Sequence, residues 1–183
     1  KVIYPPTIQP VLQKEIPMVI KNTFQPEDIG TRITKDTHTN NQPVKGISYI
    51  ENITLITLGG TGMVGMPGFS KRLFEVLSLH EINITLITQA SSELSICIGV
   101  ENKDADRAQK LIDTIFEYEI HQQKVRPVIL EQDLCIIALV GDNMKNHQGL
   151  SGKMFSSLGK NNVNIRAIAQ GASEKNISAV INK

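Results

Sequence analysis

The chain has 183 residues, which allows one or two domains, and its 40% hydrophobic content is sufficient for a buried core. Nineteen basic and eighteen acidic residues leave a formal net charge of +1, so the composition does not indicate a nucleic-acid or membrane-binding surface. The four histidines are dispersed without metal-ligand spacing, and no apolar run is long enough to span a membrane.

The amino-terminal stretch, residues 1–34, is predicted to form short extended pieces. Residues 16–20 have the composition of a strand, and residues 26–30 that of a turn. The chain starts and ends in strand-like sequence without a signal peptide, so we expect it to be a fragment of a longer protein. The polar stretch 35–43 (KDTHTNNQP) lacks periodicity, which predicts a linker.

An internal repeat is the strongest signal in the sequence. Displaced by 81 residues, the chain matches itself without a gap over about forty positions. The identities include Gly60/Gly141, Met63/Met144, Gly68/Gly149, Ser70/Ser151, Phe74/Phe155, Leu77/Leu158, Asn83/Asn164, Ile84/Ile165, Gln89/Gln170, Ser92/Ser173, Glu93/Glu174 and Ile96/Ile177. The chain therefore holds two copies of one structural unit.

The first copy alternates between strand and helix periodicity, which predicts an α+β fold with the order βαββαβ. Such a unit is a four-stranded antiparallel sheet with two helices on one face. The predicted strands cover 53–58, 82–88, 94–100 and 125–130, and the predicted helices cover 67–80, with Pro67 in the first turn, and 103–122. The second copy repeats this order as far as its third strand and lacks the second helix and the last strand.

The segment GTGMVG, residues 60–65, matches a dinucleotide-binding fingerprint. The second copy keeps only the first glycine, and the strand that follows ends in Ile87-Thr88-Gln89 without the acidic residue that holds a ribose. Nucleotide binding remains an alternative. The interpretation that both copies allow is a loop at a helix amino terminus, whose free N–H groups can hold a carboxylate.

Two glutamines close equivalent strands in the two copies, Gln89 and Gln170. An amide side chain donates and accepts hydrogen bonds, as recognition of a small polar ligand requires. A glutamine at this place can equally cap its own hairpin, and duplication alone can explain the recurrence. The sequence shows no paired carboxylates, catalytic triad or Cys-His pair, so no catalytic residue and no metal ligand is predicted.

The whole chain resembles the aspartokinase family. Residues 1–33 are similar to the end of its kinase domain, and residues 44–69 (VKGISYIENITLITLGGTGMVGMPGF) resemble the start of its regulatory region. The segments INITLITQASSELSICIGV and VNIRAIAQGASEKNISAVIN resemble the ligand turns of its ACT domains. Their Q-x-S-S-E and A-Q-G-x-S-E forms are most similar to the bifunctional, threonine-responsive aspartokinase–homoserine dehydrogenases.

This resemblance implies two ferredoxin-like ACT units that bind an amino acid, threonine or lysine, and form a homodimer through their sheets. It divides the chain into a kinase end (1–34), a linker (35–43), a first unit (44–131) and an incomplete second unit (132–183). In the family the first unit is inserted within the second, which implies that residues 44–50 join the second unit's sheet. The implied effector-binding residues are Met63, Gly65, Met66, Gly68, Asn83, Ile84, Thr85, Gln89, Ser92 and Gln170.

The resemblance also implies that the parent is a cytoplasmic aspartate kinase that uses ATP and Mg, with its kinase core in cis. The kinase and dehydrogenase catalytic residues are outside this sequence, so we expect the fragment to have no cofactor of its own and no nucleic-acid or membrane partner. The expected function is allosteric feedback inhibition by an end-product amino acid. A dimerisation scaffold without an effector and a lysine-sensing domain remain alternatives.

Overall fold

A computed structural model of the chain describes residues 3–34, 43–89, 95–141, 144, 147–171 and 175–183. These residues fall into an amino-terminal body within residues 1–42 and a main body within residues 43–183. The predicted ligand turn after Gln89 and almost all of the predicted linker lie outside the described residues. None of the described helices is long and apolar enough to cross a membrane.

The amino-terminal body contains a helix, α1 (Pro5–Gln13), and two antiparallel strands, β1 (Met18–Ile20) and β2 (Thr31–Ile33). Strand β1 lies where a strand is predicted. The expectation of extended pieces throughout this stretch was wrong, because residues 5–13 are helical. Pro5 and Pro6 occupy the first turn of α1, where a missing N–H removes no intrahelical hydrogen bond, so these prolines start a helix.

The main body forms one six-stranded antiparallel sheet in the order β4-β5-β3-β6-β8-β7. In chain order its described elements are β3 (Val44–Gly59), α2 (Phe69–Leu79), β4 (Ile84–Gln89), β5 (Ser95–Glu101), α3 (Asn102–Ile115), α4 (Glu117–His121), β6 (Ile129–Gly141), α5 (Leu150–Lys160), β7 (Ile165–Gln170) and β8 (Asn176–Asn182). The predicted α+β class and antiparallel sheet are confirmed.

Strands β3 and β6 each belong to both repeats. Ile53 of β3 pairs with Leu134 of β6, and these residues are equivalent under the 81-residue offset, so an approximate two-fold axis passes between them. Asn52 and Asp133 are also equivalent, and both have positive φ, 59° and 57°, where each strand passes from one repeat into the other. Residues 53–59 of β3 pair with β5, whereas residues 44–50 pair with the second-repeat part of β6.

The helices cover opposite outer faces of this arrangement. Helix α2 buries Phe69, Leu73 and Leu77, spaced four residues apart, in a cluster shared with α3. Helix α5 covers the second repeat through a cluster that includes Met154 and Ile177. The helix-free faces of the two repeats pack against each other through a third cluster, formed by Ile53, Leu55, Leu86, Leu134, Ile136 and Val180.

Several predicted boundaries of the first repeat were wrong. Gly68 has φ of +85°, so α2 begins at Phe69 and Pro67 lies ahead of the helix instead of in its first turn. The helix predicted over 103–122 is divided at Phe116 into α3 and α4. The strand predicted over 125–130 begins at Ile129 and continues into the second repeat as β6, because both repeats use the same long strand.

Candidate functional site

A cavity of about 500 Å³ opens where α2 begins and β4 ends. The loop between β3 and α2 forms one wall, the start of α2 forms another, and the adjacent strands β4 and β5 close it. Its lining residues are Met63, Gly65, Met66, Pro67, Phe69, Ser70, Gln89 and Ile96. We call this space the effector cavity.

The structure brings together four of the residues that the sequence and the family resemblance single out, Met63, Gly65, Met66 and Gln89. Met63 is buried, and the side chains around it are apolar on the inner wall. Gly68 lies next to the cavity, immediately before α2, where its left-handed backbone turns the loop into the helix. The glycine loop and the end of β4 therefore face the same space.

The other predicted residues lie elsewhere or outside the described residues. Asn83, Ile84 and Thr85 are at the opposite end of β4, roughly 13–20 Å along the strand from Gln89. The Thr85 hydroxyl donates to the carbonyl of Gly99 at 3.0 Å. Gln170 ends β7 in the second repeat and does not line the effector cavity. Ser92 lies outside the described residues.

Four lining residues were missed in the sequence, Pro67, Phe69, Ser70 and Ile96. Phe69 and Ile96 have the periodicity of core residues, and both are indeed buried. The sequence pattern therefore does not indicate that they also line a cavity. Ser70 is identical to Ser151 in the second copy, which was a usable signal. It is placed at the cavity because the helix starts two residues later than predicted.

Two of the three glycines of the GTGMVG segment serve close packing of the backbone. A Cβ on Gly60 would lie 2.6 Å from the Cα of Val125, and one on Gly62 would lie 2.5 Å from the Cβ of Lys124. The N–H of Gly62 donates to the Lys124 carbonyl at 2.9 Å, which fixes this part of the loop against the segment after α4. The packing accounts for these two glycines without a bound nucleotide.

The polar side chains in the described lining of the effector cavity are uncharged. Its described lining contributes the Gln89 amide and the Ser70 hydroxyl and no titratable side chain. Arg72 is the first residue of α2 whose N–H reaches a carbonyl one turn back, that of Gly68 at 3.1 Å. The N–H groups ahead of it, including those of Phe69 and Ser70, form the positive end of the helix and can receive a carboxylate.

A partly buried ion pair, between a half-exposed arginine and a buried glutamate, supports the wall behind the effector cavity. Arg72 of α2 donates to both carboxylate oxygens of Glu119 in α4, with 3.3 Å between Nη2 and Oε2, and also to the carbonyl of Ile115. Its guanidinium lies 4.5 Å above the ring centroid of Phe116. The hydrogen bonds from Arg72 hold the pKa of Glu119 below its usual value, against the opposing effect of desolvation.

Metal-ligating side chains do not cluster in the part of the chain that the structure describes, where no group of three His, Cys, Asp or Glu residues is suitably placed. Cys97 and Cys135 are half-buried free thiols. Burial raises the pKa of Cys97, which keeps this thiol protonated near neutral pH.

A family model described as "ACT domain" matches residues 56–116 and 137–183 of the chain. Over 181 residues the chain is 42% identical to the bifunctional aspartokinase/homoserine dehydrogenase of Haemophilus influenzae, covering 99% of this chain and 22% of that protein. It is 36% identical over 187 residues to the chloroplastic bifunctional aspartokinase/homoserine dehydrogenase 1 of Arabidopsis thaliana, covering 100% and 20%. The chain thus spans about a fifth of the length of these relatives.

Solved structures give the same similarity. The aspartate kinase of Clostridium acetobutylicum superposes with a TM-score of 0.82 at 30% identity, over 96% of this chain and 40% of that one. Aspartokinase III of E. coli, in complex with lysine and aspartate, gives a TM-score of 0.73 at 27% identity, over 100% and 39%. The regulatory subunit of aspartate kinase from Thermus flavus shares the fold, with a TM-score of 0.64 at 23% identity over 77% and 90%.

Proposed function

The chain belongs to the ACT-domain family, in the form found in the regulatory region of aspartokinases, and we propose that it senses an end-product amino acid, threonine, for feedback control of an aspartate kinase. The parent would be a bifunctional aspartokinase–homoserine dehydrogenase, since the most similar relatives considered above carry that name. The phosphotransfer to aspartate, with its ATP and Mg, would take place in the kinase core outside this sequence.

The effector cavity is the observation that carries this proposal. Its volume of about 500 Å³ is in the range of small-molecule sites, about 300–1,000 Å³. The amino terminus of α2 provides backbone donors for an amino-acid carboxylate, and the Gln89 amide can accept from an ammonium and donate to a hydroxyl. The mixed apolar and hydroxyl-bearing walls, Met63, Met66 and Ser70, match a short side chain with one methyl and one hydroxyl group.

The described lining of the effector cavity supports threonine over lysine as the proposed effector. A lysine side chain carries an ammonium that requires a carboxylate or several acceptors when it is removed from water. The described lining of the effector cavity has no acidic side chain. Lysine is the second candidate because aspartokinase III of E. coli, a structural neighbour of this chain, was solved with lysine bound.

The parent protein is also expected to associate through these units. Strand β4 is at the edge of the sheet, and its residue Ile87 is exposed. The backbone N–H and C=O groups along this edge can therefore pair with a strand of a second copy. In the proposed organisation the chain begins with the kinase end and the linker. The first unit is inserted in the second, and the kinase core lies in the same polypeptide. A dimerisation scaffold that binds no effector is the competing function.

A thermal-shift titration of the 183-residue chain with L-threonine, L-lysine, L-methionine, NAD and ATP tests these functions against one another. A ligand that binds only the folded state adds about 2.7 kcal/mol of stability at a hundred times its dissociation constant. We expect a saturable rise in Tm with threonine. A rise in Tm with lysine alone would identify lysine as the effector. No rise with any amino acid would support the dimerisation scaffold.

A further inference from the structure

Strand β4 borders two separate cavities of the main body. Its last residue, Gln89, lines the effector cavity, whereas Thr85, Leu86 and Ile87 line a second cavity of about 360 Å³. The second cavity lies between the repeats, because its other described walls come from the leading part of β3 and from the second repeat. We call it the inter-repeat cleft, and these walls include Ser48, Ile50, Ile136, Ala138, Ala169, Gly171, Asn176 and Ser178.

The floor of the inter-repeat cleft is a row of small side chains. Ser48, Ala138, Ser178 and Ala169 are successive partners across β3, β6, β8 and β7. The approximate two-fold axis places an equivalent row on the first repeat, in the same strand register. That row is larger in volume and consists of Ile129, Thr57, Cys97 and Thr88.

At the two-fold counterpart of the cleft, an ion pair at the surface links the two repeats. Arg166 of β7 donates its Nε–H to the carboxylate of Glu131 in β6 at 2.6 Å, and a second guanidinium nitrogen contacts the same oxygen. The repeat offset places Thr85 and Ile50 at the equivalent positions, and both of these line the cleft. An ion pair therefore links the repeats at this position, whereas the equivalent position borders the cleft.

This asymmetry has a mechanical consequence for β4. Close-packed interiors resist displacement, whereas side chains that border a void lack contacts on one side. Strands β4 and β7 are both edge strands with an irregular register at equivalent places, so they differ in what faces the inter-repeat contact. The strand that carries Gln89 thus lies over a side of the inter-repeat contact where the described residues leave space.

We propose that the inter-repeat cleft couples effector binding in the first repeat to the second repeat. Occupancy of the effector cavity changes the contacts of Gln89 and shifts β4 over the cleft floor, while the Glu131–Arg166 pair holds the opposite side. A ligand moves such an equilibrium only through its different affinity for the two arrangements, and Gln89 provides that difference. This inference rests on the proposed function of the effector cavity.

Hydrogen exchange of the full chain, measured with and without saturating L-threonine, tests the coupling. The reporter is β8, which forms the cleft floor and contributes no residue to the effector cavity. We expect threonine to change the exchange rate of β8 amides at least about threefold. Ala138→Leu fills the cleft and should reduce this change to less than about 1.5-fold, while calorimetry still detects threonine binding. Ile137→Leu, on the other face of β6, should behave as the native chain.

The outcomes separate this inference from the proposed function. An unchanged β8 rate in a native chain that binds threonine overturns the coupling, as does a full response in Ala138→Leu. Absence of threonine binding to the native chain overturns the proposed function. In that case hydrogen exchange is compared between the native chain and the variants without ligand. If Ala138→Leu does not slow the exchange of β4 amides, the cleft does not provide space for movement of β4. If Ala138→Leu does not fold, Ala138→Thr, which copies Thr57 of the counterpart row, takes its place.

Discussion

Phe69, the first residue of α2, stacks on Phe116, the residue between α3 and α4, with ring centroids 4.4 Å apart and an interplanar angle of 23°. Phe69 lines the effector cavity, and the ring of Phe116 also lies beneath the Arg72 guanidinium. The wall of the cavity is therefore connected through two aromatic rings to the Arg72–Glu119 ion pair. Substitutions at this ion pair should change stability and the position of the cavity wall together.

Arg72→Lys keeps the charge and removes the planar fork that contacts Glu119, Ile115 and Phe116 at once. The loss of charge-assisted hydrogen bonds should lower the free energy of unfolding by about 2 kcal/mol. Urea denaturation measures the change. Lys71→Arg, on the adjacent position of α2, is the matched control and should alter the free energy by less than about 0.5 kcal/mol. Equal stability of Arg72→Lys and the native chain would mean that the fork contributes nothing.

The Glu119 carboxylate should make the stability of the fold depend on pH in the acid range. Its folded pKa is lower than the usual value of about 4.3, chiefly through hydrogen bonds from Arg72. The contribution is therefore complete above the unfolded pKa and is lost as the pH falls through the lower folded pKa. Denaturation curves from pH 6 to about pH 3 should show a flatter decline for Glu119→Gln than for the native chain. Glu117→Gln, in the same helix but with an exposed side chain, is the matched control.

Gly62→Ala should disturb the loop that borders the effector cavity. The added Cβ would lie 2.5 Å from the Cβ of Lys124 and 3.0 Å from its carbonyl, so either the loop or the segment after α4 has to move. We expect a loss of about 1–3 kcal/mol in the free energy of unfolding and weaker threonine binding. Gly152→Ala is the control, because this helical glycine has open space around its Cβ position. It should stabilise the fold by about 0.5–1 kcal/mol.

The repeat in the sequence predicted much of the main body, since an 81-residue offset applies both to residue identities and to strand register. What it could not predict was the sharing of β3 and β6 between the repeats, because periodicity is the same for one long strand and for two short ones. Asn52 and Asp133 mark the crossing points, yet neither residue type requires a positive φ. Similarly, hydrophobic spacing identified Phe69 as a core residue but not as a cavity residue. Its position at the cavity depends on the loop ending at Gly68, so that α2 begins at Phe69.

The cleanest test of the effector cavity is the comparison of its two glutamines. Gln89 lines the cavity, whereas Gln170 occupies the equivalent position of the second repeat, outside it. Gln89→Ala removes hydrogen bonds to a charged ligand, worth about 1.5–3 kcal/mol, so the Kd for threonine measured by calorimetry should rise roughly 10–100-fold. Gln170→Ala should leave this Kd within about twofold if the cavity of the first repeat is the site that titrates. The opposite ranking of the two variants would place the effector in the second repeat, and equal effects of both would require two coupled sites.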